Sequence, residues 1–373
     1  MAKLALCMIV RNEENRLKAC LESIRAAVDE IVIVDTGSTD RTKGIAAQYT
    51  DKIFDFVWTD DFSAARNASL EKAEADYILW LDADDVLDAP ECEKLARLRD
   101  ELDGSVDAVM MPYHYAHAED GSVTLAFDRE RIVRRRAGMR FEGAVHEAIP
   151  VSGNVIRADI VVRHTGKHGK ASNLRNLSIY ERRIAQGKEM KPRDRYYYAR
   201  ELKNAGRYAQ AVEAFDAFLA SGGWMENRID AYVQRGECLR MLGRRAEAKA
   251  SYLMAMNLSP RAEAMCAMGA CLMEEKNADA AFWYRAALAC TMPAGGAFVS
   301  PQAYGYVPLM QLCVLYDAAG DTRLAAQMNE RALLLCPNDA LALANRAYFS
   351  RALAAAKKRE KAEHTMEKRG LEG

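Results

Sequence analysis

Apolar runs of four to seven residues, each closed by a polar loop, occur three times in the first 85 residues, and a fourth apolar segment, Ile53–Trp58, is broken by Asp55. Leu4–Val10, Ile31–Val34, Ile53–Trp58 and Tyr77–Leu81 are predicted strands, because short continuous apolar runs suit a sheet buried on both faces. After the first, Leu17, Cys20, Leu21 and Ile24 fall on one face at helical spacing. Gly37 permits a tight turn after the second, with Ser38 or Asp40 placed to cap a helix from Arg41. A third helix opens at Phe62. Strand, polar loop and helix in this order predict a parallel sheet with right-handed crossovers, its polar strand ends converging on one edge. Further strands are expected at Ala108–Tyr115, at Arg131–Arg134 and from Ile160.

The pattern changes from about Asp194, where strand signals stop and paired helices begin. Gly206, Gly243, Glu275 and Gly320 occupy matching turns. Ala211, Ala248, Ala280 and Ala325 follow each turn, then Phe215, Tyr252, Tyr284 and Asn329, then Phe218, Ala255, Ala287 and Ala332. A helix pair repeated in this way stacks into an array with a concave face suited to peptide, whose aromatic-rich helices (Tyr196, Tyr197, Tyr198, Trp224, Tyr232) offer contacts. Assembly of two protomers is the other use of such an array. The expected boundaries are a catalytic domain over 1–170, a helical connector over 171–193, repeats over 194–353 and a charged tail over 354–373.

The chain has 373 residues, half of them apolar and 28% charged, which predicts a soluble protein of two domains. A formal charge of −1 argues against nucleic acid or an anionic membrane as partner. No apolar run approaches the roughly 18–20 residues that span a bilayer. The start runs directly into a strand with no cleavage signal, so a cytoplasmic location is expected. Nine cysteines without a CxxC pair predict buried reduced thiols.

The candidate chemistry lies at the strand ends. Tyr77–Leu81 stops on Asp82, Asp84 and Asp85, which a dry core cannot hold ionised without partners. At a strand's carboxyl end they face the crevice where open α/β sheets bind ligands, and they offer hard oxygens to Mg²⁺ or Mn²⁺. Capping of the helix that Pro90 helps to start is the other reading. Asp35 ends the second strand and can accept a hydrogen bond or simply form the turn. Arg66 is a cation with a bidentate fork, suited to a diphosphate or a base carbonyl, or to a surface ion pair.

Ile9-Val10-Arg11-Asn12-Glu13, Val34-Asp35-Thr36-Gly37-Ser38-Thr39-Asp40, Ala65-Arg66-Asn67 and Leu81-Asp82-Ala83-Asp84 resemble, in order, the signatures of family 2 glycosyltransferases of the GT-A fold. The resemblance covers about residues 1–170. It implies an α/β Rossmann-like domain with a mostly parallel sheet, a UDP-sugar donor, Mn²⁺ or Mg²⁺ on the Asp-x-Asp, and inversion at the anomeric carbon. By it, Val10, Arg11, Asn12 and Glu13, together with Asp35, Arg66, Asp82 and Ala83, would hold the nucleotide sugar. Asp82, Asp84 and a later His164 would hold the metal, with Asp85 behind them.

The family often carries a Gly-x-Val-His-Glu segment, here Gly143–Glu147. An inverting transfer needs a base near the acceptor. Glu147 is the first candidate and Glu142 the second, while His146 would act on or orient the acceptor. His114, His117 and His168 carry no assigned role. The helical half resembles the tetratricopeptide repeat, and the pair of domains resembles bacterial peptide S-glycosyltransferases of the glycocin type. That implies hexose transfer to a Cys or Ser side chain of a peptide or protein, with a homodimer through the repeats as one assembly. A transferase for cell-envelope glycan or lipid-linked sugar is the alternative enzyme. A repeat scaffold with a degenerate sugar-nucleotide domain is the alternative of another class.

Overall fold

The computed structural model describes residues 2–117, 121, 123–166, 170–293 and 299–371. His168 lies outside the described residues. The chain divides into two compact units. One is chiefly Met1–Ala116 and Leu125–Asn227, the other chiefly Arg228–Ala294 and Val299–Gly373. The composition change at Asp194 therefore falls inside the first unit.

In the first unit β1 (Leu4–Val10) has β2 (Glu30–Asp35) and β4 (Tyr77–Trp80) on its two sides, and β3 (Ile53–Asp55) lies beyond β2. All four are parallel, with Val10 opposite Asp35 and Cys7 opposite Trp80. Helices α1 (Leu17–Ile24), α2 (Thr42–Ala46) and α3 (Phe62–Lys72) connect them. Asp61 caps α3 by accepting the Ala64 N–H, and Asp40 receives the Thr42 N–H at the start of α2.

The period of two is visible in β1. Leu4, Leu6 and Met8 join Leu17, Leu21 and Ile24 in one core, while Ala5 and Cys7 join Leu70 and Trp80 in another. The sheet is buried on both faces. That leaves its carboxyl edge as the place where its acids find water or ligand.

The rest of the sheet is mixed. β5 (Asp85–Val86), α4 (Ala89–Glu101), β6 (Ala108–His117), β7 (Val123–Arg134), β8 (Val155–Arg157) and β9 (Val162–His164) complete an order β3-β2-β1-β4-β7-β6-β9-β5, with β8 on β6. β7 runs antiparallel to β4, and β5 antiparallel to β9. The parallel expectation holds for the first four strands and ends at β4. β7 also begins well before Arg131, because its charged residues are paired inside rather than solvated.

Helices α5 (Lys170–Ala185), α6 (Pro192–Asn204) and α7 (Tyr208–Ser221) belong to this first unit. Tyr196 and Tyr197 are buried there, so they pack rather than wait for a peptide.

The second unit holds α8 (Met225–Met241) from Arg228 onward, α9 (Arg245–Leu258), α10 (Ala262–Glu274), α11 (Ala280–Ala289), α12 (Tyr306–Ala318), α13 (Thr322–Leu335) and α14 (Ala340–Leu371). The aligned Ala, aromatic and Asn positions of its repeats are buried. Gly243 and Gly320 adopt left-handed backbone after their helices, as Gly206 does in the first unit. In the third turn the left-handed residue is Lys276 rather than the aligned Glu275, one place further on.

Close helix approach explains two other glycines. A Cβ on Gly236 would lie 2.3 Å from the Tyr252 ring, and one on Gly269 2.8 Å from Tyr284. Gly236→Ala is expected to cost about 1–3 kcal/mol through overpacking, read as a lowered denaturation midpoint. An unchanged midpoint would mean that the tyrosine has room to move.

The nine cysteines are thiols, and burial raises those of Cys7 and Cys20 far above their ordinary range. No helix among the described residues is long and apolar enough to cross a membrane.

Candidate active site

The carboxyl ends of β1, β2 and β4 meet the 141–148 segment and the strand that ends at His164. Asp35 closes β2 fully buried, and its Oδ1 accepts the N–H groups of Gly37 and Ser38 at 2.9 and 2.8 Å. Its Oδ2 is buried without a hydrogen-bond partner. A buried acceptor left open is costly, which makes it a place for a ligand donor. Asn12, left-handed at φ 56°, ties the first loop to the second by accepting the Thr39 N–H and donating its own N–H to Ser38 Oγ. Val10 is buried and gives its carbonyl to Thr36, while Arg11 is exposed.

The three aspartates after β4 separate into different environments. Asp82 Oδ1 accepts from Arg66 at 2.6 Å. Burial works against its charge, but Arg66 and Arg131 outweigh it and bring Asp82 down to about 2. Asp85 is fully buried, bonded to Arg131 at 3.0 Å and to the Tyr113 hydroxyl at 2.8 Å. Asp84 is half-buried, with Arg16 at 3.8 Å and His164 Nδ1 at 3.5 Å. Burial, with Asp82 and Asp85 nearby, raises the Asp84 carboxyl. Burial and the charge of Asp84 likewise raise Glu13, which places Glu13 in the same field.

Asp84, Asp85 and His164 each offer a ligand atom, all within 4.8 Å of one another. Gly166 passes so close that a Cβ there would lie 2.2 Å from Asp84 Oδ2 and 2.7 Å from His164 Nε2. The space between carboxylate and imidazole thus exists because residue 166 has no side chain. Two carboxylates and an imidazole suit a divalent cation. Asp85 spends its oxygens on Arg131 and Tyr113, and His164 Nδ1 lies 3.0 Å from the same Tyr113 hydroxyl. Asp82, expected among the ligands, pairs with Arg66 through Oδ1. Gly166→Ala is expected to weaken Mn²⁺ binding at least about tenfold, the scale of a perturbed metal shell, by titration calorimetry. Unchanged affinity would take the cation away from this pair.

Arg66 is buried rather than exposed to a diphosphate. Its Nε donates to Glu147 at 2.5 Å, and its guanidinium lies over the rings of Trp80 and Phe141 at 4.7 and 5.4 Å. Burial disfavours its charge, and Asp82 and Glu147 more than restore it. Trp80 also carries Arg129 and Arg131 on its ring, at 4.7 and 4.2 Å. Glu147 is buried and faces Asp82 through Arg66, whereas Glu142 is exposed and pairs with Lys191. His146 turns away to Glu201 of α6. Ala83 packs in the core.

Sequence reasoning did not find Arg129 and Arg131, which hide in the charged stretch of β7, nor Glu201, which reads as one more helical carboxylate. Four consecutive charges inside a strand, Asp128-Arg129-Glu130-Arg131, were the available signal. A depression of about 530 Å³ lined by Lys3, Glu30 and Lys52 lies at the opposite, amino-terminal end of the strands and takes no part.

A parallel half-sheet with this carboxyl edge defines a glycosyltransferase domain of the GT-A class. Residues 5–160 match the model of Glycosyl transferase family 2, so the first unit contains a family 2 glycosyltransferase domain, and helical repeats follow it. A TPR repeat-containing protein of Synechococcus elongatus is 40% identical over 149 residues, which is 40% of this chain and 36% of that protein. The prophage-derived glycosyltransferase SunS of Bacillus subtilis is 29% identical over 219 residues, 55% of this chain and 50% of SunS. The lipopolysaccharide core biosynthesis glycosyltransferase LpsC of Rhizobium meliloti is 30% identical over 164 residues, 41% and 58% of the two chains. The chain thus spans half or less of the first two relatives.

Proposed function

We propose that the chain is an inverting, metal-dependent glycosyltransferase that moves a hexose from a UDP-sugar to a Cys or Ser side chain of a peptide or protein, in the cytoplasm. The observation that carries the donor side is the junction of Asp35, the Arg66–Asp82–Glu147 chain and the Asp84–His164 pair at one sheet edge.

In this reading Asp35 accepts the imide N–H of the base through Oδ2, the oxygen left without a hydrogen-bond partner. Asp84 and His164 would hold Mn²⁺ or Mg²⁺, backed by Asp85. Such a cation, when bound, stabilises the charge of a departing diphosphate. Arg66 holds Asp82 ionised and grips Glu147 by Oε1, leaving Oε2 to take the acceptor's proton. With the proton removed, the acceptor's sulfur or oxygen attacks the anomeric carbon as the bond to the diphosphate breaks. A thiol eases that step, since at a pKa near ~8.5 it is already partly ionised.

The repeats support a macromolecular acceptor, because an array of paired helices offers a long face and no chemistry of its own. The test supplies a UDP-hexose, Mn²⁺ and a panel of Cys- and Ser-containing peptides, with mass spectrometry of the peptides. A hexose added to a peptide, and lost when its Cys or Ser is replaced, is the expected result. Modification of glycan or lipid-linked acceptors alone would overturn the peptide reading.

A further inference from the structure

The loop that carries Glu147 is fastened from outside the sheet. Glu142 and Ala148 exchange two backbone hydrogen bonds at 2.9 and 3.1 Å, closing residues 143–147 into a tight loop. Within it Gly143 has φ 100° and His146 φ 53°. The left-handed region is unfavourable for a residue with a Cβ and persists where the surroundings over-determine it. At His146 the surroundings are α6. Its Nε2 meets Glu201 Oε1 at 2.6 Å, and its ring stacks on Tyr197 at 4.1 Å and 14°. Its carbonyl accepts from Arg193 at 3.2 and 3.1 Å. Just before it, the Val145 carbonyl accepts from Tyr180 of α5 at 3.2 Å.

Glu201 itself is 2% exposed, and its Oε2 is buried without a hydrogen-bond partner. A carboxylate buried in a helix is unfavourable without a compensating partner, and its short contact is to His146. The next residue, Glu147, projects the other way, onto Arg66. Adjacent residues thus point to opposite anchors, and fixing one fixes the other.

We infer that Glu201 is a positioning residue for the transfer reaction: by holding His146 left-handed it sets Glu147 on Arg66 beside Asp82. The first repeat-type helix is then part of the catalytic apparatus as well as the start of the repeats. The inference rests on the proposed function for its catalytic consequence, and on the loop geometry alone for its structural one.

Hydrogen exchange of residues 141–148 in the full-length chain tests the structural part, comparing the parent with Glu201→Ala and Glu201→Gln. One short hydrogen bond to a charged group predicts exchange faster by about tenfold or more in Glu201→Ala. Glutamine keeps an oxygen acceptor in the same volume and should restore most of the protection. Where transfer is measurable, Glu201→Ala should lower kcat by a similar factor and leave donor KM within about twofold, again with rescue by glutamine. Should Glu201→Ala loosen the whole unit, Tyr197→Leu removes the stacking partner and gives the same readout. Unchanged exchange at 141–148 in Glu201→Ala and in Tyr197→Leu overturns the inference. A parent that transfers no sugar contradicts the proposed function, and the exchange result then decides the positioning role by itself.

Discussion

Replacing Asp84 with asparagine is expected to lower transfer by at least about 10²-fold, the scale of losing one electrostatic stabiliser in an active site. Asp84 is half-buried like Asp82, but among the described residues its nearest guanidinium is that of Arg16 at 3.8 Å, against Arg66 at 2.6 Å for Asp82. Burial and its acidic neighbours already disfavour its charge, an arrangement that a bound cation relieves. Asparagine keeps the size and removes the anion. The fold should survive, because neither the Arg66–Asp82 nor the Arg131–Asp85 pair is touched. Steady-state transfer with Mn²⁺, beside a thermal melt, checks both halves. A variant at parent rate would remove Asp84 from the metal assignment.

Glu147→Gln carries the second large effect. The glutamine amide can still accept from Arg66 Nε, so loop and donor contacts are expected to remain. It cannot take a proton from the acceptor. Loss of a general base predicts a fall of about 10²–10⁴-fold in kcat, with UDP affinity within about twofold. Rapid transfer by Glu147→Gln together with loss in Glu142→Gln would reverse the order of the two candidates. Glu142 is exposed with Lys191, and Glu147 is buried with Arg66.

The sheet's first half was legible because β1, β2 and β4 are built on continuous apolar runs that end on polar loops, whereas β3 stops at Asp55, short of the expected Trp58. Leu4–Val10 was read to the residue, and the α1 face of Leu17, Cys20, Leu21 and Ile24 is the buried one. The second half was less legible for two reasons. β5, β8 and β9 are two or three residues long, too short to show a period. β7 carries Asp128, Arg129, Glu130 and Arg131, and their burial is made tolerable by partners remote in sequence, such as Asp85 for Arg131. Repeat turns were read from glycine, so the one built on Lys276 was misplaced by a residue.

The polar residues singled out at the strand ends were more legible than their partners. Asp35, Arg66, Asp82, Asp84, Glu147 and His164 do gather at one edge. Which of Asp82 and Asp84 pairs with Arg66 depends on tertiary contacts, and spacing alone could not separate the two. Gly166 shows the same limit. Its role follows from what a Cβ would strike, and nothing in the local sequence announces it.

The central claim is a UDP-sugar site served by a divalent cation at the Asp84–His164 edge. Incubating the pure full-length protein with a panel of nucleotide sugars and Mn²⁺, and measuring released nucleotide by mass spectrometry, tests it most directly. The account predicts UDP released from a UDP-hexose, abolished by chelator and by Asp84→Asn. Release of another nucleotide in preference to UDP, or full release in excess chelator, would contradict it.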